Sequence, residues 1–273
     1  MRFSVHHLTI YRYSAPVRLA QHILRLNPRP DAGRLLKREL AIDPAPFLQE
    51  DATDAFGNLV TRVDFEEPSD HLLIDSRFAF EAAPAPPLAR GAPRPVEADG
   101  AVAVYRGDRP INGAVSAFAA SIAAECDGDA LAFLDRLNRT LYARIDRRMR
   151  EEGAARSAEE TLALGSGACR DLTVLFVAAC RSLGAPARFV SGYQGQADTP
   201  DGRRHLHAWP EAFVPGLGWR GYDPTHGFAV SDGHVPLCAA PEQAQTMPVE
   251  GGYFGGPVKS RLTYEIEIAA ERS

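Results

Sequence analysis

A cysteine lies at the junction between a turn of small residues and a strongly apolar helical segment. The turn, Gly-Ser-Gly-Ala at residues 165–168, leads directly into Cys169. From Cys169 to Leu183 the apolar residues recur at helical spacing, and Gly184 marks the expected end of the helix. The pattern therefore predicts a helix whose first turn carries Cys169.

This position favours a reactive thiol. A cysteine reacts as its thiolate, and the partial positive charge of the backbone amides at a helix N-terminus lowers a thiol pKa. Ser166 is a candidate cap for this helix end, and Asp171 is placed to interact with the same dipole. The alternative is a buried cysteine that only fills the core.

The other three cysteines differ from Cys169. Cys180 lies inside the apolar run without flanking glycines, which predicts a structural role, and no role is assigned to Cys126 or Cys238. The four cysteines form no CxxC pair and are too sparse for a disulfide scaffold. We therefore expect a reducing, cytoplasmic location.

A histidine and an aspartate complete a possible triad. His207 lies 38 positions after Cys169, and Asp223 lies 16 positions after His207, with a Pro-Gly-Leu-Gly turn at 215–218 between them. Two adjacent antiparallel strands would bring Asp223 to the imidazole, where a carboxylate orients the ring and stabilises the imidazolium. Nucleophile, base and orienting acid in this order predict acyl-transfer chemistry through a covalent intermediate.

A metal site is the competing interpretation of the same histidines. His205 and His207 would face the same side of a strand and could ligate zinc together with Asp223 or His226. The neighbouring Cys169 motif favours catalysis, so no metal and no cofactor are expected. Phosphate-loop and EF-hand patterns are absent from the sequence.

The fold is predicted to be α+β, in two domains joined by a linker. Residues 1–82 have period-two alternation and turn signals typical of an all-β domain, residues 83–110 form a Pro/Ala/Gly-rich linker without helix or central strand, and residues 111–273 form the catalytic domain. Strands are expected at 3–13, 16–26, 35–42, 59–65, 72–81, 187–193, 206–214, 219–223 and 262–268. Helices are expected at 112–125, 129–150 and 169–183, and residues 236–257 are expected to be irregular.

Charge and hydropathy exclude several classes of partner. The 273 residues have a formal net charge of −5, which provides no electrostatic basis for binding nucleic acid or an anionic membrane. The N-terminus alternates polar and apolar residues, unlike a signal peptide or a membrane span. We expect a peptide or protein substrate, and the oligomeric state cannot be read from the sequence.

Four motifs in order resemble the core of the bacterial transglutaminase-like superfamily. They are Gly-Ala-Cys-Arg-Asp (167–171), Arg-Ser-Leu-Gly-Ala-Pro-Ala-Arg-Phe-Val-Ser-Gly-Tyr (181–193), His-Ala-Trp-Pro-Glu (207–211) and Gly-Leu-Gly-Trp-Arg-Gly-Tyr-Asp-Pro-Thr (216–225). The opening segments from His7 and His22, and Asp-Ala-Phe-Gly-Asn at 54–58, resemble the β-rich N-terminal region of one bacterial branch. The resemblance covers nearly the whole chain.

The resemblance implies a papain-like α+β core of helices on an antiparallel sheet, with Cys169, His207 and Asp223 as the triad. Members of the family are transglutaminases, peptidases or amidases. We expect hydrolysis of a peptide or carboxamide through a thioester. The alternatives are transfer to an amine, as in a protein transglutaminase, and a non-catalytic protein-binding module on the same fold.

Three further expectations concern the surroundings of the triad. The oxyanion is expected to bind the backbone amide of Cys169 and, by rough position, Tyr142. His226 stands where the family often has Asn, a change expected to be harmless. The segment from Ala240 replaces a frequent Gly-Arg-Asp-Tyr, which is expected to alter either the substrate groove or the order of that loop.

Overall fold

A computed structural model of the protein describes residues 1–83, 100–107, 111, 113–150, 153–195 and 203–272. Its helices and sheets form the α+β fold predicted from the sequence. The strands are β1 (Arg2–Leu19), β2 (His22–Leu24), β3 (Gly33–Asp43), β4 (Leu48–Thr53), β5 (Leu59–Asp64), β6 (Ser69–Ala82), β7 (Asp146–Arg147), β8 (Ser166–Gly167), β9 (Ala187–Gln194), β10 (His207–Val214), β11 (Gly218–Asp223), β12 (Phe228–Ala229), β13 (His234–Ala240), β14 (Val249–Glu250), β15 (Tyr253–Phe254) and β16 (Ser260–Glu271). The helices are α1 (Gly100–Ala103), α2 (Gly113–Ala123), α3 (Ala130–Arg144), α4 (Ala158–Leu164) and α5 (Cys169–Ser182), with 3-10 turns at Pro30–Ala32, Val104–Arg106 and Gln243–Thr246.

Two antiparallel sheets build the N-terminal region. The larger one has the order β15-β1-β6-β3, with β16 also paired to β1, and the smaller one has the order β14-β2-β5-β4. Apolar residues alternate along β1 and β6, so each strand buries one face, including Val5 and Phe80. The alternation in the sequence therefore predicted β3, β5 and β6, but it did not predict β4.

The first strand is longer than expected. The sequence suggested separate strands at 3–13 and 16–26, but β1 is continuous to Leu19 and passes through Pro16. The pairing register with β6 shifts between Arg12 and Val17. An irregularity at this point accommodates the proline, which cannot donate a ladder hydrogen bond.

The last strand belongs to the N-terminal sheet. The sequence analysis assigned it to the catalytic domain, yet β16 pairs with β1 over twelve consecutive positions, from Arg2↔Glu271 to Tyr13↔Ser260. Ile266 on this strand packs in a cluster with Phe3 and Phe78 of β1 and β6. The chain thus returns from the core to complete the sheet with which it began.

The core consists of α5 packed against a five-stranded sheet of order β12-β11-β10-β9-β13. Leu172, Leu175 and Phe176 of α5 are completely buried, and the Phe176 ring stacks on Tyr222 of β11 at a centroid distance of 5.8 Å. All eight residues of β9, which lies between β10 and β13 in the sheet, are buried. This packing fixes the helix that carries Cys169 relative to β10 and β11.

Two segments differ from the sequence expectations. Residues 236–257, expected to be irregular, overlap β13 and contain a 3-10 turn and two short strands. Strand β13 is buried on nearly every position, so its residues lack the alternation that marks a half-exposed strand. Helix α4, which the sequence analysis did not predict, has a capping box made by Ser157 and Glu160.

The proposed linker falls mostly outside the described residues, since 84–99 and 108–110 are not described. Within it, the four-residue helix α1 contradicts the expectation that this composition cannot form a helix.

Among the described residues, no helix is long and apolar enough to span a membrane.

Candidate active site

Cys169 is the first residue of α5, as the sequence predicted. Ala168 is the N-cap and has extended backbone geometry, with φ of −82° and ψ of 170°. Ser166, expected to cap this helix, instead lies in β8, and Oδ2 of Asp171 accepts the hydrogen bond from the Ala168 amide at 2.8 Å. The capping group therefore comes from inside the first turn.

Asp171 holds the turn that presents the thiol. Its side chain is completely buried, and Oδ1 accepts from Nη2 of Arg150 at 2.6 Å and from the backbone amide of Arg156 at 2.8 Å. A Cβ on Gly167 would lie 2.9 Å from the Asp171 Cβ, so the turn needs glycine at that position. This network of hydrogen bonds around Asp171 thus anchors the residues before Cys169.

His207 and Asp223 meet across neighbouring strands. His207 begins β10, and Asp223 ends β11, which pairs antiparallel with β10. The His207 Nε2 atom lies 2.8 Å from Oδ2 of Asp223, and the carboxylate is completely buried. The structure therefore brings together the histidine and carboxylate that the sequence spacing placed on adjacent strands.

Cys169 contacts the same imidazole. Burial raises the pKa of its thiol, but a hydrogen bond from His207, the charge of that ring and a hydrogen bond from the Ala208 backbone outweigh this effect and lower the pKa overall. Because Nε2 of His207 faces Asp223, the other ring nitrogen, Nδ1, is the one available to the thiol. The three predicted residues thus form a continuous Cys169–His207–Asp223 chain.

The charges along this chain stabilise an imidazolium. Burial lowers the pKa of His207, but the charge and hydrogen bond of Asp223, together with Cys169, raise it to about 10. Burial also raises the pKa of Asp223, but the charge and hydrogen bond of His207 and the hydrogen bonds from His226 and His234 hold it well below its usual range. These pKa shifts all favour the thiolate, imidazolium and carboxylate forms of the three groups, and a thiolate is the reactive form of a cysteine nucleophile.

Asp223 accepts hydrogen bonds from more donors than a triad requires. Its Oδ2 lies 2.8 Å from Nδ1 of His226 and 3.1 Å from Nε2 of His234, in addition to His207. Its Oδ1 accepts from the backbone amides of Thr225 and His226 at 3.0 and 3.3 Å. The carboxylate is therefore held in one orientation from two sides, with three imidazoles on a single oxygen.

Sequence reasoning identified His226 as a departure from the family pattern and as a possible zinc ligand, but not as a hydrogen-bond partner of Asp223, and it did not identify His234. His234 begins β13 and is almost completely buried, and burial lowers its pKa despite the contact with Asp223. No local motif marks this residue, because its contact with Asp223 depends on how β13 and β11 are arranged in the sheet.

The structure separates His205 from the rest of the suggested metal site. Nδ1 of His205 lies 3.1 Å from the Tyr264 hydroxyl on β16. Among the described residues, the group whose ligand atoms converge is His207, Asp223 and His226, all within 4.8 Å of one another. Both imidazoles already lie 2.8 Å from the same carboxylate oxygen, which is hydrogen-bond geometry. His205, which the alternative zinc site would have required beside His207, is not part of this group.

Tyr142 is placed away from the thiol. Its ring is partly exposed and packs under the guanidinium of Arg147, with the Arg147 Cζ 4.2 Å from the ring centroid. It is not among the described residues that line the cavity at Cys169, so the structure does not support it as an oxyanion donor. The backbone amides of the first turn of α5, including that of Cys169, remain the candidate donors at this position.

Cys169 and His207 open into a cavity of about 380 Å³. The core contributes residues from α5, β9 and β10, and the N-terminal sheet contributes residues from β1 and β16. The cavity therefore lies between the core and the N-terminal sheet, and both surround the thiol.

Two family models match the chain. The bacterial transglutaminase-like N-terminal region matches residues 3–81, and the transglutaminase-like superfamily core matches residues 116–224, which include Cys169, His207 and Asp223. Both matches agree with the two regions that the sequence motifs resembled.

Similar proteins occur in several bacteria. An uncharacterized protein of Mycobacterium tuberculosis is 26% identical over 291 aligned residues, which cover 98% of this chain and 92% of that protein. A Protein-glutamine gamma-glutamyltransferase of Pseudomonas aeruginosa is 39% identical over 70 residues, but these are only 23% of this chain and 10% of that protein. A crystal structure of a candidate cysteine protease from Cytophaga hutchinsonii has the same fold, with a TM-score of 0.76 and 18% identity over 100% of this chain and 91% of that chain.

Proposed function

Because this chain belongs to the transglutaminase-like superfamily and carries the bacterial transglutaminase-like N-terminal region, we propose that it is a cysteine-dependent acyl-transfer enzyme acting on peptide or carboxamide groups. The observation that supports this most strongly is the Cys169–His207–Asp223 chain, in which the thiol pKa is lowered and the imidazole pKa is raised.

The reaction begins with attack by the Cys169 thiolate on the substrate carbonyl carbon. A carbon–sulfur bond forms, and the carbonyl π electrons move to oxygen to give a tetrahedral oxyanion. Backbone amides of the first turn of α5 stabilise this negative charge, because they lie at the positive end of the helix dipole.

His207 provides the proton for the next step. The imidazolium donates its proton to the leaving nitrogen as the carbon–nitrogen bond breaks, which leaves a thioester on Cys169 and a neutral imidazole. Asp223 orients the ring throughout and stabilises its charged form. In the second half, neutral His207 removes a proton from water, the thioester is hydrolysed, and the ion pair is restored.

Water is the acyl acceptor in this proposal, which makes the protein a peptidase or amidase. The position of the N-terminal sheet supports this choice, because β1 and β16 form one side of the cavity and restrict the approach of a second large protein. Transfer to an amine is the second candidate, supported by the partial match to the Pseudomonas aeruginosa gamma-glutamyltransferase.

A product analysis distinguishes the two. The protein is incubated with a library of peptides that contain glutamine or a carboxamide, with excess primary amine, and hydrolysed and amidated products are counted by mass spectrometry. We expect mainly hydrolysed products, and none of either kind from Cys169→Ala. Cys180→Ala is the matched control and should retain activity, since Cys180 is buried in the core. Mainly amidated products at modest amine concentration would support transglutamination instead.

A further inference from the structure

One side of the cavity at Cys169 is a flat surface formed by two paired strands. Three cross-strand pairs line it, at alternate positions of β1 and β16: His7↔Ile266, Thr9↔Tyr264 and Tyr11↔Leu262. Alternate residues of a strand project from the same face, so these six side chains form one continuous surface. We call this surface the strand wall.

The inner end of the strand wall is rigid. Nδ1 of the buried His7 lies 2.7 Å from the hydroxyl of Tyr193 on β9, and its Nε2 lies 3.2 Å from Oγ1 of Thr9. Tyr264 contacts His205, two residues before His207. The wall is therefore tied to the sheet that carries the catalytic histidine, at a fixed position relative to the thiol.

The outer end of the cavity exposes large apolar side chains. Leu262 and Tyr264 of the strand wall are 52% and 43% exposed, and Met247 and Met149 from two other segments are 44% and 45% exposed. All four line the cavity that contains Cys169. Single exposed apolar side chains are scattered over a protein surface. Large apolar side chains from three segments that converge beside a reactive group are instead typical of a binding site.

From this arrangement we infer that the strand wall is a specificity surface and that the acyl donor carries a large apolar side chain, aliphatic or aromatic, next to the reacting carbonyl. The inference rests on the proposed function. The cavity includes the nucleophile Cys169, so the molecule that occupies the cavity is the one that transfers its acyl group to Cys169. Burying that side chain against Leu262, Tyr264 and Met247 would place the carbonyl at the thiol.

Alkylation with matched reagents tests this without a known substrate. The second-order rate of Cys169 labelling is measured with iodoacetamide, N-benzyl iodoacetamide and N-(2-carboxyethyl) iodoacetamide, each normalised to its rate with glutathione. We expect the benzyl reagent to label Cys169 about tenfold faster than iodoacetamide, because burying about 55 Å² of apolar surface corresponds to a factor of that size. The carboxylate reagent should show no such gain.

Variants test whether the faster labelling of Cys169 by the benzyl reagent depends on the apolar side chains that line the cavity. Leu262→Ser and Met247→Ser should each remove most of the benzyl preference, measured as the ratio of the benzyl rate to the iodoacetamide rate of the same variant. Leu35→Ser is the matched control, since Leu35 is also exposed, on β3 of the same sheet, and does not line the cavity. It should keep the preference.

The outcomes separate this inference from the proposed function. If iodoacetamide does not label Cys169 ahead of the other cysteines, the proposed thiolate chemistry fails, and the inference fails with it. If Cys169 is labelled first but the benzyl reagent has no advantage, or the carboxylate reagent is faster than it, the strand wall does not select apolar side chains. Equal loss of preference in Leu35→Ser would also overturn the inference.

Discussion

Nε2 of His207 lies 2.8 Å from Oδ2 of Asp223, and this carboxylate is completely enclosed by protein. A buried carboxylate keeps its charge only when donors surround it. Here three imidazoles and two backbone amides do so, and the strongest consequence falls on His207, whose pKa rises to about 10. Asp223 therefore holds the Nε2 side of the ring and stabilises the imidazolium, whose Nδ1 proton His207 would deliver to a leaving group.

Asp223→Asn is expected to lower turnover by about 10²- to 10⁴-fold, because an amide cannot stabilise the imidazolium as a carboxylate does. The alkaline limb of the turnover profile, set in the wild type by loss of the His207 proton near pH 10, should move to lower pH. Release of p-nitroaniline from an acyl p-nitroanilide, whose leaving nitrogen must be protonated, measures both. Asp232→Asn is the control, since Asp232 contacts the amino group of Met1 at 3.3 Å, and it should leave both unchanged. An unshifted alkaline limb in Asp223→Asn would show that the carboxylate does not set the His207 pKa.

His226 is a positioning residue for Asp223 rather than a participant in the reaction. His226→Ala removes one donor from Oδ2, and we expect turnover to fall about tenfold, in line with loss of a hydrogen bond to a charged group. His226→Asn, which restores a side-chain donor, should recover much of this loss. The pKa of the Cys169 thiol should rise in His226→Ala and return towards the wild-type value in His226→Asn. Equal turnover in the wild type and both variants would show that His226 does not position Asp223 for the reaction.

We expect Asp171 to contribute mainly to the stability of the fold and less directly to catalysis. Asp171→Asn leaves the side chain of Arg150 and the backbone amide of Ala168 without a charged partner in a buried place, so the free energy of unfolding in urea should fall by about 3 kcal/mol. Asp146→Asn is the matched control. Asp146 pairs with Arg148 at 2.6 Å, but both side chains are exposed, so its loss should cost less than about 1 kcal/mol. Similar losses in both variants would contradict the role given to Asp171.

The triad and much of the fold follow from local patterns. Strand alternation predicted β3, β5 and β6, and the apolar run with its glycine end predicted α5 nearly to the residue. The spacing of His207 and Asp223 around a glycine turn placed them on adjacent antiparallel strands, as observed. These features depend on short-range periodicity and turn chemistry, which a single sequence expresses directly.

The features that the sequence did not reveal depend on contacts between distant segments. Strand β13 is buried on nearly every position, so it shows no alternation, and its edge is covered by Asn58, whose side chain exchanges hydrogen bonds with the backbone of Ala239. The role of His234 depends on that strand. Pairing of β16 with β1 joins residues more than 240 positions apart, and it brings Leu262 and Tyr264 to the cavity. Local patterns contain no information about such pairings.

The central claim is that Cys169 is a thiolate because His207 is its charged partner. The most direct measurement is the pH dependence of Cys169 alkylation by limiting iodoacetamide, followed by peptide mass spectrometry in the wild type and in His207→Ala. Cys180 and Cys238 serve as internal references, because burial raises the pKa of both thiols, that of Cys238 to about 12. The account predicts that wild-type Cys169 is labelled first and that its midpoint lies clearly below pH 9, whereas His207→Ala moves the midpoint above 9, because burial then raises the thiol pKa without an opposing charge. A midpoint that is the same in both proteins, or earlier labelling of Cys180, would contradict it.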